Sequence, residues 1–303
     1  MGDDLRVPLD VAAMLNEALG SGDWIRRQVF GGTSHGAELW ASASGQMAIV
    51  KRHPDAPPGQ FEAVARRVRL LREAGVPAPP TTVVTDGADV MLVHDYLPGR
   101  SDPALTSPLV EHLIDIVGRE AGLADESAEH WPELIRTSLT DGFAGYCEHG
   151  SLQTFSEGSQ ALLDRVRRVG RDPVVRRLPA PDLVHYDLHT GNVLSDDELR
   201  VSGLIDWDGV RAGDRVLDLA NLTFTSTWKT ADADVLARLW DAFLSSGTHD
   251  SRVVYMHHVV LRQVDWTIRH DVNPGPRRTI ELASWALAVT EKGEFAPAPA
   301  AIG

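Results

Sequence analysis

Apolar residues recur at helical spacing near the start of the chain, at Val11, Met14, Leu15 and Leu19, before Gly20. That stripe predicts an opening helix over 9–19. The pattern then shortens. Val29-Phe30 and Leu39-Trp40 flank a glycine-rich run from Gly31 to Gly36, which predicts a β-hairpin with a flexible tip. Met47-Ala48-Ile49-Val50-Lys51 predicts a further strand, and its alternation puts Lys51 on the face of Met47 and Ile49. Phe61, Val64, Val68 and Leu71 mark a helix over 60–74, ended by Gly75 and Pro77. Strands over 82–85 and 90–96 lead to Leu97-Pro98-Gly99, where the sheet pattern stops.

Beyond that break the periodicity is helical. Helices are expected over 107–122, with Ser107 as cap and Pro108 in the first turn, and over 235–243, 253–268 and 277–289. The tail from Phe295 to Pro299 reads as frayed. The predicted architecture is α+β and bilobal, with a small sheet lobe over 1–96, a hinge at about 95–99 and a larger helical lobe over 97–303.

Composition narrows the function classes. The chain has 303 residues, 43% of them hydrophobic, enough for a substantial core. A net charge of −14 excludes a broad electrostatic footprint for nucleic acid. The single cysteine, Cys147, excludes an intrachain disulfide or a cysteine-based zinc site. Asp3 and Asp4 do not suit a signal peptide, and no apolar run reaches bilayer length. A cytoplasmic protein without membrane contact or obligatory protein partner is expected.

The densest chemistry is His185-Tyr186-Asp187-Leu188-His189-Thr190-Gly191-Asn192, followed fourteen residues later by Asp206 within Leu204-Ile205-Asp206-Trp207-Asp208. Phosphoryl transfer needs an Asp to orient and deprotonate the attacking hydroxyl, plus a carboxylate and an amide to hold Mg²⁺ against nucleotide phosphates. The H-x-D-x-x-x-x-N spacing with a later Asp supplies these groups in the order kinases use. A polar turn could use Asp187 and Asn192 only to satisfy backbone, but a glycine-rich hairpin and a strand lysine stand upstream. His185 and His189 have the spacing of a zinc helix, yet Gly191 and the preceding strand do not suit one. Lys51, on an inner strand face, needs an anionic partner such as a phosphate.

Over most of its length, from Phe30 to the helix after Asp218, the sequence resembles the aminoglycoside phosphotransferase family of antibiotic and small-molecule kinases. The segment Gly213 to Ala220 resembles that family's stretch behind the metal aspartate. The resemblance implies a protein-kinase-like fold with an antiparallel sheet in the small lobe, ATP (or GTP) as donor and Mg²⁺ as cofactor. It makes Asp187 the catalytic residue, Asn192 and Asp206 the metal ligands, and His185 a prop of the loop. Lys51 would meet the nucleotide, with Glu62 as its helix partner. The family's usual acid position is here Val64, and Glu62 is the nearest acid. Gly32, Thr33 and Ser34 would cover the phosphates, and the Asp95 carbonyl and Leu97 amide would meet adenine. A protein kinase fits less well, because Trp207 and Asp208 stand where Phe and Gly would and no A-P-E segment follows.

For the acceptor, the resemblance implies a cationic antibiotic, either an aminoglycoside or a tuberactinomycin peptide such as capreomycin or viomycin, inactivated by phosphorylation. Asp141, Glu148, Trp228, Asp265, Trp266, Asp271 and Glu281 are the candidate contacts in the helical lobe, and Asp265 is the chosen one. The alternatives are a metabolic kinase for choline, a sugar or an amino alcohol, and a nucleotide-binding regulator without turnover.

Overall fold

The computed structural model describes residues 10–20, 22–31, 36–54, 57–86, 89–230 and 232–299. Helix α1 (Val11–Leu19) is capped by Asp10, whose carboxylate accepts from Ala13 N–H, and ends at a left-handed Gly20. Strands β1 (Ile25–Phe30), β2 (Ala37–Ala41) and β3 (Met47–His53) precede helix α2 (Pro58–Glu73), and β4 (Thr81–Asp86) and β5 (Asp89–Asp95) follow it. All neighbours pair antiparallel in the order β1-β2-β3-β5-β4.

Strand alternation sorts this sheet. Ala48, Val50, Met91 and Val93 face α1 and form a small core with Val11, Met14, Leu15 and Trp24. On the opposite face Val90 and Leu92 join Phe61, Val64, Val68 and Leu71 of α2 in the main core, which continues into the helical part. Ile49 and Lys51 are therefore turned away from α1, toward the cleft beneath the sheet.

Past Tyr96 the chain forms β6 (Arg100–Ser101), α3 (Ser107–Gly118), α4 (Trp131–Thr140), α5 (His149–Phe155) and α6 (Glu157–Gly170). Four short strands follow: β7 (Asp182–Val184), β8 (Val193–Ser195), β9 (Val201–Leu204) and β10 (Arg211–Gly213). Strand β7 pairs with β10, and β6-β8-β9 form a second small sheet. Helices α7 (Val216–Ser226), α8 (Ala233–Leu244), α9 (His249–His270) and α10 (Pro276–Lys292) complete the lobe. Gly99 is needed where the hinge meets the second sheet: φ is +149°, and a Cβ there would lie 2.5 Å from Ser202 Oγ.

The fold is the expected α+β arrangement of an antiparallel-sheet N-terminal part and a helical C-terminal part. Helices expected over 107–122, 235–243, 253–268 and 277–289 appear as α3, α8, α9 and α10, the last three longer at both ends. Among the described residues no helix is long and apolar enough to cross a membrane.

Candidate active site

The loop between β7 and β8 is held from below by one carboxylate. Asp218, fully buried on α7, accepts from His185 N–H at 2.6 Å and from Tyr186 N–H at 2.9 Å. Tyr186 has φ +73°, costly for a bulky residue. Its peptide is fixed at both sides of the residue, because Arg262 of α9 donates to the Tyr186 carbonyl at 2.6 Å. Burial pushes the Asp218 carboxyl up to about 7, against the pull of those two amides.

His185 is buried too, and burial lowers its pKa. Its Nε2 donates to the Ile205 carbonyl at 2.8 Å, and its Nδ1 accepts from Asp187 N–H at 3.3 Å. Both ring nitrogens are engaged, so His185 ties the loop to the Asp206 turn and has none left for zinc. His189 instead caps the turn over Thr190–Asn192, accepting from Gly191 N–H at 3.1 Å. Asn192 Nδ2 donates to the Asp187 carbonyl at 2.9 Å, which leaves Oδ1 for a ligand.

Asp187 is one-third exposed and ion-paired with Arg262. Burial works most strongly against the Arg262 charge, yet Asp187 together with Tyr146, Tyr186 and Cys147 raises its pKa. Asp206, at φ +67°, sits in the left-handed region that Asp tolerates. Lys51 Nζ bridges Asp206 and Asp208, the latter at 3.0 Å. Burial opposes the Lys51 ammonium, but Asp208 and then Asp206 overcome it and hold its pKa above the ordinary value. Lys51 in turn outweighs burial at Asp206 and lowers that carboxyl. Behind them His94 is pushed down to about 4 by burial and stays neutral.

Two clefts meet at Asp206. One, about 490 Å³, runs under the sheet and is lined by Ile49, Lys51, Asp95, Leu97, Asn192 and Asp206. Leu97 N–H donates to no protein group among the described residues. A free hinge amide at one end and an ammonium at the other suit a nucleotide. Asn192 Oδ1 and the Asp206 carboxylate suit a magnesium ion shared with phosphates, which needs only one or two protein ligands. No cluster of three or more His, Cys, Asp or Glu side chains able to hold a metal occurs among the described residues. The second cleft, about 590 Å³, has Asp187 and Asp206 at its base and Phe61, Phe143, Tyr146, Tyr186, Arg211 and Arg262 among its walls.

The structure thus brings together Lys51, Asp95, Leu97, Asp187, Asn192 and Asp206. Gly32, Thr33 and Ser34 lie outside the described residues. Glu62 requires correction: it is exposed, borders an outer groove with Arg66, Arg69 and Arg72, and Lys51 meets Asp206 and Asp208 instead. The helical phase explains this, since Phe61 and Val64 take the inward positions of α2.

Asp265 requires correction as well. Its side chain is 1% exposed and fully engaged by Arg269, Ser151 Oγ and Glu148 N–H. The remaining acceptor candidates line neither cleft: Glu148 accepts from Gly145 N–H, Glu281 pairs with Arg278, and Asp141 accepts from Thr140 Oγ1. Trp228 packs on Phe224, Trp266 on His270, and Asp271 forms the left-handed end of α9. Arg211, Arg262 and Tyr186 are the cleft residues that sequence reasoning missed. Arg262 follows the apolar run Val259-Val260-Leu261 on α9, where a charged residue needs a partner, and that was the available signal.

A model of the phosphotransferase enzyme family (APH) matches residues 21–253. No curated protein matches the chain in sequence. Among solved structures, the apo form of a thermostable mutant of aminoglycoside phosphotransferase APH(4)-Ia is similar with a TM-score of 0.60 at 17% identity, covering 93% of this chain and 98% of that one. A ternary complex of a thermostable mutant of the same enzyme with ADP and hygromycin B gives 0.59 at 17% identity, over 94% and 98%. A protein provisionally assigned as a fructosamine-3-kinase, from Thermobifida fusca, gives 0.57 at 21% identity, over 92% and 99%. These likenesses are likenesses of fold.

Proposed function

The chain belongs to the phosphotransferase enzyme family (APH), and from that premise we propose that it transfers the γ-phosphoryl group of ATP to a hydroxyl of a small molecule. The observation that carries this reading is the meeting of two clefts at Asp206, with a nucleotide-sized space on one side and Asp187 facing the other. The acceptor oxygen attacks the γ-phosphorus, the bond to the bridging oxygen breaks, and ADP leaves. Asp187 takes the hydroxyl proton, and Arg262 fixes the direction of that carboxylate. Asn192 and Asp206 would hold magnesium, which when bound offsets phosphate charge. Lys51 orients the phosphates, and Asp95 and Leu97 receive the adenine edge. Residues 1–96 then act as the nucleotide lobe and 97–303 as the catalytic lobe, in the cytoplasm where ATP is abundant.

Two acceptor classes compete. A cationic antibiotic, aminoglycoside or tuberactinomycin, with resistance as the outcome, draws support from the hygromycin B complex of the APH(4)-Ia mutant. A metabolic alcohol draws support from the fructosamine-3-kinase neighbour and from the acceptor cleft, whose acids are all ion-paired. The cleft favours the metabolic alcohol. An ATP-consumption screen across cationic antibiotics and small alcohols, paired with resistance testing on expression, decides between them. Nucleotide binding without turnover on any acceptor would overturn the kinase reading.

A further inference from the structure

Every carboxylate facing the acceptor cleft is already answered by a cation. Asp187 pairs with Arg262, and Asp206 and Asp208 share Lys51. One cation has no such answer. Arg211, at the start of β10, lines the same cleft and forms no ion pair among the described residues.

Its orientation is nonetheless fixed. The Nε–H donates to the Gly209 carbonyl at 2.9 Å, and the guanidinium lies over the Tyr186 ring, 3.9 Å from its centroid. These contacts occupy one N–H and one face. The terminal NH2 groups donate to no protein group among the described residues. A half-buried guanidinium held flat, with its paired N–H edge free, has the geometry that receives a planar oxyanion bidentately.

We propose, resting on the small-molecule kinase reading, that the acceptor is an alcohol bearing a carboxylate, which Arg211 binds in this cleft while the hydroxyl faces Asp187. The residue under the guanidinium, Tyr186, immediately precedes Asp187, so one compact ligand spans both groups. A single negative charge matches the single unanswered cation; a phosphate would bring nearly two. Phe61, Phe143 and Tyr146 supply apolar wall for the body of the ligand. A polycation would find Arg211 and Arg262 in its way and no unpaired acid to hold it.

Binding tests this without turnover. Wild-type protein loaded with magnesium and AMP-PNP is titrated calorimetrically with 3-phenylpropanoate and with 3-phenylpropylammonium, which share the phenyl ring and a similar ring-to-charge distance and are opposite in charge. The carboxylate should bind at least tenfold more tightly. Arg211→Met should erase that preference, and Arg211→Lys, which keeps the charge but not the fork, should retain a fraction of it. Should Arg211→Met fail to fold, a reduced preference in Arg211→Lys carries the same inference. No measurable carboxylate binding, an ammonium bound equally well, or a preference surviving in Arg211→Met or undiminished in Arg211→Lys overturns the subsite. If 3-phenylpropanoate binds through Arg211 but no alcohol supports ATP consumption, the kinase reading fails and the subsite stands. If a polycation is phosphorylated while the carboxylate does not bind, the reverse holds.

Discussion

Replacing Asp265 by Asn separates a structural acid from a substrate contact. The carboxylate accepts four hydrogen bonds: Arg269 Nε at 2.8 Å and Nη2 at 3.0 Å, Ser151 Oγ at 2.7 Å and Glu148 N–H at 3.0 Å. An amide of the same shape keeps one acceptor atom and turns the other into a donor facing donors. Breaking a buried ion pair by changing one partner costs about 3–5 kcal/mol. Arg269 is 23% exposed and can rehydrate, so the lower end, about 3 kcal/mol, applies. At about 2–4 °C per kcal/mol for a chain of this order of size, Tm should fall by roughly 6–12 °C. Differential scanning calorimetry reads that loss, and steady-state kinetics well below the new Tm should give an acceptor KM within about twofold of wild type, the ordinary scatter for a site outside the cleft. A raised acceptor KM at unchanged Tm would refute the reasoning and return Asp265 to the pocket.

Asp187→Asn should lower kcat by about 10²- to 10⁴-fold with nucleotide affinity retained, as expected for loss of a general base; near-normal kcat would remove it from that role. Asp206→Asn should abolish magnesium-dependent turnover and Asn192→Ala weaken it, read by titrating activity against Mg²⁺; a wild-type metal requirement in both would move the metal elsewhere. Burial, and next Arg262 and Arg211, lower His258 to about 3, so the folded protein binds this proton less readily than the unfolded chain. Its stability contribution is therefore lost as pH falls below about 6.5, and the gap between wild type and His258→Gln should move in the variant's favour by about 1.4 kcal/mol per pH unit. Denaturant unfolding at pH 7, 6 and 5 measures the gap, and a pH-independent gap would refute the assignment.

Much of this arrangement is legible in the sequence because local chemistry and global fold agree. The strands around Lys51 alternate, α3 and α8 bury clear apolar stripes, and the Asp187–Asn192 spacing survives folding as a single turn of loop. Helix α7 is harder to read because all of its residues, Val216 to Ser226, are buried, polar ones such as Asp218 and Asn221 included, so no exposed polar face sets a periodicity to detect. Helix α6 is absent from the sequence reading although its signals, Ser156 as cap and Leu162, Leu163 and Val166 on one face, stand in the chain. Glu62 and Asp265 were misplaced for a shared reason. Sequence gives an acid's position along a helix, but which face meets the cleft depends on how the helix packs, and Phe61 and Arg269 decided it here.

Helix α9 couples several parts of the cleft. Within two turns it supplies His258 to Tyr146, Arg262 to Asp187 and Tyr186, Gln263 to Asn221, and Asp265 to Ser151 and Arg269. A substitution on this helix that reshapes the acceptor cleft therefore also disturbs the contacts that hold Asp187 and Tyr186. Acceptor choice is thus more freely altered from the segment around Phe143 to Tyr146, the start of α2 and the Arg211 position than from α9 itself.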